Sequence, residues 1–194
     1  MTAYPVTFDV AKPEKFQRPA VFIRLIGYFI LGIVNWLVIV LLPVYAALRI
    51  SSKGADRFLQ EDGEKIKGWL RSYIGLYAYV MVTTDVFDGV GDPSFRFDVT
   101  PQGKPTVGSA LLRWITIIPS LLILGALASV GYVIWIIASV MILIQEDYPA
   151  GLYDFQCGVV RWAARLAVYH ASLVQEYPPF AFDMGAEAQL TNPA

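Results

Sequence analysis

Cysteine and histidine are nearly missing from this chain, which has one of each, Cys157 and His170, in 194 residues. A lone cysteine excludes an intrachain disulfide, and with a single histidine it leaves no Cys/His set for zinc. Charge is absent over two long stretches. No Asp, Glu, Lys or Arg occurs between Leu25 and Leu48, or between Trp114 and Gln145. The net charge is only −1, so no basic field is present to attract nucleic acid. A Walker loop, a glycine-rich dinucleotide fingerprint and a nucleophile–base set are also lacking. The polar, mixed-charge residues ahead of the first run, and the length of that run, do not fit a cleaved signal peptide.

Apolar residues fill the space that charge leaves. They make up 56% of the chain, and the mean hydropathy is +0.53. A helix packed on one side of a soluble core keeps charge on its other side, whereas about 18 or more uncharged apolar residues read as a bilayer segment. The expectation is a mainly α integral membrane protein with several passes through the bilayer.

The chain also repeats itself. Pro5-Val6-Thr7-Phe8-Asp9-Val10 returns as Pro93-Ser94-Phe95-Arg96-Phe97-Asp98-Val99, the Phe-Asp-Val core lying about 89 positions later. At the same spacing Phe22-Ile23-Arg24-Leu25 falls on Leu111-Leu112-Arg113-Trp114. Each copy then has an apolar run, a polar loop and a helix bearing two cations one turn apart, Lys67 and Arg71 or Arg161 and Arg165. Two repeats are expected. Residues 1–88 hold an apolar run at 20–50 and an amphipathic helix at 57–83; residues 89–194 hold a run at 107–145 and a helix at 152–176. The boundary falls in the Gly/Asp/Pro stretch at Gly89–Pro93. The alternating segments that open each copy read as short strands, either paired into a ribbon or lying as extended arms.

Length decides how the runs are read. A helix over Val107–Ile144 would exceed a hydrocarbon core of about 30 Å, so a hairpin breaking at Gly125–Gly131 is expected, with Pro119 kinking its first arm. The first run, Ala20–Ile50, has cations at both ends: Lys12, Lys15, Arg18 and Arg24 before it, Arg49, Lys53 and Arg57 after it. Basic flanks on both sides favour both ends on the cytoplasmic side. Two readings stay open, a hairpin turning near Gly32–Asn35 and a single tilted helix. Asn35 is costly in lipid without a partner, which places it at a turn or against another helix.

The helices that follow carry apolar residues at 3–4-residue spacing, with Trp and Tyr among them and cations opposite. That pattern fits a helix in the headgroup plane, or one packed on the protein's own ribbon. Lys67, Arg71, Arg161 and Arg165 are the candidate lipid-headgroup contacts, and Trp69, Trp162, Tyr177 and Phe180 the interface anchors. Arg24 and Arg113, at the run starts, are placed to snorkel.

An ordered string closes the chain: Glu146-Asp147-Tyr148-Pro149-Ala150-Gly151-Leu152-Tyr153-Asp154-Phe155, Gly158-Val159-Val160-Arg161-Trp162-Ala163-Ala164-Arg165, then Glu176-Tyr177-Pro178-Pro179-Phe180. It resembles a bacterial membrane-protein family known as a domain of unknown function. The signature of that family is a Tyr-Pro-x-Gly-Leu turn, a Gly-x-x-Arg-Trp-x-x-Arg helix and a closing Tyr-Pro-Pro-Phe. The first copy departs from it, with Thr83-Thr84-Asp85-Val86-Phe87 in place of the closing motif. The resemblance implies a bacterial cytoplasmic (inner) membrane location, and it implies no activity.

Candidate chemistry is thin. His170 has no second strong ligand near it in sequence, and Cys157 reads as a buried small hydrophobe or as an S-acylation site. Glu61-Asp62-Gly63-Glu64 lacks calcium-loop spacing and reads as a solvated linker. No carboxylate lies inside an apolar run. Neither a catalytic residue nor a cofactor or metal is expected. The expected role is a non-enzymatic membrane scaffold or accessory subunit touching lipids, other membrane proteins or its own copies. The alternative is a transporter or channel component acting as an oligomer.

Overall fold

In the computed structural model, which describes residues 4–87 and 93–180, the two alternating segments are strands β1 (Val6–Val10) and β2 (Phe95–Val99). They pair antiparallel with Phe8 opposite Phe97, so the extended-arm reading falls away. Reciprocal bonds close the ribbon at its two ends, Ala11 N–H to Ser94 O and Thr100 N–H to Pro5 O. Alternation does the sorting: Val6, Phe8, Val10, Phe95, Phe97 and Val99 are buried, while Arg96 and Asp98 are exposed. Since each half supplies one strand, the halves interlock. The Gly89–Pro93 boundary lies mostly outside the described residues, as do residues 181–194.

The first apolar run is one helix, α1 (Ala20–Lys53), about 51 Å long, with no turn at Gly32–Asn35. Asn35 needs no turn because Tyr73 of a neighbouring helix donates its hydroxyl to Asn35 Oδ1 at 2.8 Å. A three-residue turn of helix, α2 (Ala55–Arg57), and a wide π-type turn at Phe58–Asp62 lead into α3 (Gly63–Val80). Asp62 fastens this corner by accepting from Arg49 at 2.7 Å and lying 3.4 Å from Lys53. The acidic cluster is therefore an anchor for the end of α1 rather than a solvated linker.

The second run breaks elsewhere than expected. It forms α4 (Val107–Thr116) and α5 (Ile118–Gln145), parted at Ile117, and α5 continues straight through Gly125–Gly131. Pro119 sits in the first turn of α5, where its missing N–H costs nothing, so it starts a helix instead of kinking one. The small residues permit close packing. A Cβ on Gly131 would come within 2.9 Å of Gln156 Oε1, and Gln156 Nε2 donates to the Gly131 carbonyl. The chain reverses at Glu146, in the left-handed region at φ 61°, and enters α6 (Ala150–His170).

The layers explain the remaining differences. β1 and β2 pack on α6 and α3; α3 and α6 pack on each other; α1 covers α3 and α4, and α5 covers α6. α3 and α6 are thus a middle layer between a polar-faced ribbon and the apolar helices. Their aromatic residues are internal: Tyr73, Tyr77, Trp162 and Tyr169 are all buried. The pattern that suggested a headgroup-plane helix is the pattern of a helix covered on two sides. The apolar helices are covered on one side only, and Phe22, Phe29, Ile33 and Trp36 of α1 and Leu122 and Ile144 of α5 are exposed. Both α1 and α5 are long and apolar enough to cross a membrane.

Candidate functional site

Pro43 lies inside α1, four residues after Ile39, and has no N–H to give the Ile39 carbonyl. Two side chains replace that donor. Trp114 Nε1–H reaches Ile39 O at 3.0 Å, and His170 Nε2 stands 2.8 Å from the same oxygen. A carbonyl only accepts, so His170 carries its proton on Nε2 and leaves Nδ1 as an acceptor with no hydrogen-bond partner among the described residues. Burial holds His170 below its usual 6.5, and the nearby Arg113 charge acts in the same direction. The imidazole is neutral at physiological pH.

This joint borders a cavity of about 150 Å³ lined by Asn35, Tyr73, Tyr77, Leu124, Ala167 and His170, among others. Burial also keeps the phenols of Tyr73 and Tyr77 protonated. The lining therefore offers hydrogen-bonding groups with no fixed charge, enough to hold a few waters or a small neutral molecule. Among the described residues, no group of three His, Cys, Asp or Glu side chains is placed to hold a metal ion.

Two buried arginines close the ends of the middle layer. Arg24 Nε donates to Tyr79 O at 2.9 Å and Nη2 to Thr84 O at 2.8 Å, with Asp85 beside it at 2.5 Å. Its guanidinium lies 4.9 Å from the Tyr79 ring. Arg113 Nη2 donates to Val174 O at 2.8 Å and stacks 4.2 Å over Tyr169. Both were expected to snorkel. Instead they turn inward, because carbonyls at and just beyond the ends of α3 and α6, those of Tyr79, Thr84 and Val174, lie within reach of their guanidinium groups. After each helix the chain reverses through one non-glycine residue at φ 64°, Val82 and Ser172.

The four expected headgroup cations divide. Arg165 is fully buried, so it cannot meet a headgroup. Lys67 is engaged by Asp98 at 2.5 Å and Glu64 at 3.7 Å. Arg71 lies 6.0 Å from the Phe95 ring, and Arg161 Nε donates to Phe8 O at 3.3 Å, which places both under the ribbon. Of the four anchors, Trp69 and Phe180 are exposed, and Tyr177 is half-buried beside Ser120 and Tyr169. Trp162 is buried against Phe180 and anchors the protein's own core. Cys157 is buried too, and burial raises its thiol to about 11, which fits a small core residue rather than an acylation site. Sequence reasoning missed the Ile39 joint, although Pro43 within an uncharged helix was a visible sign that one carbonyl needed a donor.

Residues 108–181 match a family model described as a domain of unknown function, DUF4389. The matched stretch holds α4, α5, α6 and the chain that runs on to Phe180. No curated protein and no solved structure matches the chain.

Proposed function

We propose that this protein is a membrane-embedded scaffold or accessory subunit of the bacterial inner membrane, built from two tandem copies of one unit. The observation that carries this reading is the exposed apolar face formed by α1, α4 and α5. Patches on soluble monomers seldom exceed a few hundred Å², and this face runs the length of two long helices. Polar and charged groups gather on the opposite, ribbon face, which leaves a water-facing platform for a partner. Lipid-headgroup contacts belong to cations at the rim of the apolar face, such as Arg18 and Lys53, with Lys67, Arg71 and Arg161 further out beneath the ribbon.

The tandem origin is supported by bonds that recur from one half to the other. Met81 N–H to Tyr77 O, Val82 N–H to Tyr79 O and Thr83 N–H to Ala78 O are matched by Ala171 to Ala167, Ser172 to Tyr169 and Leu173 to Val168. The bond from Arg24 to Thr84 O is matched in the same way by that from Arg113 to Val174 O, and each half supplies one strand of the ribbon.

Mild-detergent extraction from cells, followed by size-exclusion chromatography, tests the accessory role. A stoichiometric protein partner is expected, and recovery of a bare monomer or homo-oligomer would overturn it. A transporter or channel subunit is the second reading, favoured by the cavity between α1, α3, α5 and α6, whose mostly apolar wall carries a few uncharged hydrogen-bonding groups. Solute or ion flux through reconstituted vesicles would establish it, and tight vesicles would remove it.

A further inference from the structure

We infer that α1 and α5 lie along the plane of the bilayer, sunk into one leaflet, and do not cross it. This rests on the membrane-embedded reading above and concerns the orientation. What stands beside the middle of each long helix fixes this orientation. Asn35, near the midpoint of α1, is bonded to Tyr73, and within one turn on α3 Arg71 lies 6.0 Å from the Phe95 ring of β2. Gly131, near the midpoint of α5, accepts from Gln156, and little more than a turn on along α6 Arg161 donates to Phe8 O of β1. The ribbon is therefore level with the centres of α1 and α5, one helix layer away, and not beyond their ends.

If α1 and α5 crossed the bilayer, the ribbon would sit at mid-depth with Arg96 and Asp98 exposed to acyl chains. Such charges are rare at that depth unless they face protein or a water-filled cavity. Laid flat, the same fold places every group suitably. The exposed stripe Phe22, Phe29 and Trp36 enters the acyl region, α3 and α6 lie at headgroup level about 10 Å above, and the ribbon is in water. The cations at the two ends of α1, Arg18 and Lys53, then reach the same surface. Those paired basic flanks suggested a hairpin that dips into the membrane, and a flat helix satisfies them without a turn.

The test uses the full chain carrying Cys157→Ala, reconstituted in vesicles of phosphatidylcholine and phosphatidylglycerol at about 3:1. Single cysteines at Glu14, Ser51 and Arg96 are treated with a membrane-impermeant maleimide from outside. The three sites are expected to label to the same extent. Labelling of Glu14→Cys and Ser51→Cys from opposite sides would overturn the inference. Nitroxides at Phe22, Phe29 and Trp36 span about 21 Å of helix. They are expected at one common depth with high oxygen collision rates. Depths that change along the stripe mean a crossing helix. Low oxygen access with spin–spin broadening means a second copy covers the face, and that also overturns it. Flotation of the unlabelled protein with the same vesicles separates the two levels. Failure to float sinks the membrane reading itself, and floating with sided labelling sinks the flat orientation alone.

Discussion

Ile39 shows how one residue choice organises its surroundings. A carbonyl kept from water without a donor costs about 1–3 kcal/mol, and Pro43 deprives the half-buried Ile39 carbonyl, in the middle of α1, of its helical donor. Trp114 and His170, from two other helices, both converge on it. Trp114→Phe is expected to lower stability by about 1 kcal/mol in detergent melts. The same change is expected to cost less in a Pro43→Ala background, where residue 43 regains an N–H and the helix supplies its own donor. Equal losses in both backgrounds would show that Trp114 acts only by packing. Residue-level reading of the sequence went astray where a polar group had a partner from far along the chain. Arg24 and Arg113 looked free to reach a surface, and nothing local shows that the carbonyls of Tyr79 and Thr84, or of Val174, come within 3 Å of them.

At the scale of elements, the corner between α1 and α3 depends on ionisation. The hydrogen bond from Arg49, with Lys53 nearby, holds the Asp62 carboxyl below its usual 3.8. A depressed carboxylate pKa contributes stability that is complete above the unfolded value and is lost as pH falls towards the folded one. Melting temperature is therefore expected to drop as pH falls from about 5 to 3, and Asp62→Asn is expected to flatten that part of the profile. An unchanged slope in the variant would assign the acid sensitivity to other groups. The strands were legible because their alternation has one physical meaning in a half-buried ribbon. The break at Gly125–Gly131 was misjudged, and the first run was left open between a hairpin and one helix, for a common reason. A small residue such as Gly131 and a polar Asn35 resemble turns only when the helices that pack against them are unknown.

The whole molecule is a three-layered body with its charge on one face and its hydrocarbon on the other. That asymmetry was implicit in the two uncharged runs. Which side of the amphipathic helices the hydrocarbon would take was not, because α3 and α6 are covered twice and present much the same periodicity either way. On the proposed reading, lipid covers the face of α1, α4 and α5. Fractionation of the expressing cells' membranes in alkaline carbonate, without detergent, puts this to the test. The protein is expected to remain entirely in the membrane pellet and to leave it only when detergent is added. Recovery of monodisperse protein in the aqueous supernatant would mean that lipid does not cover this face.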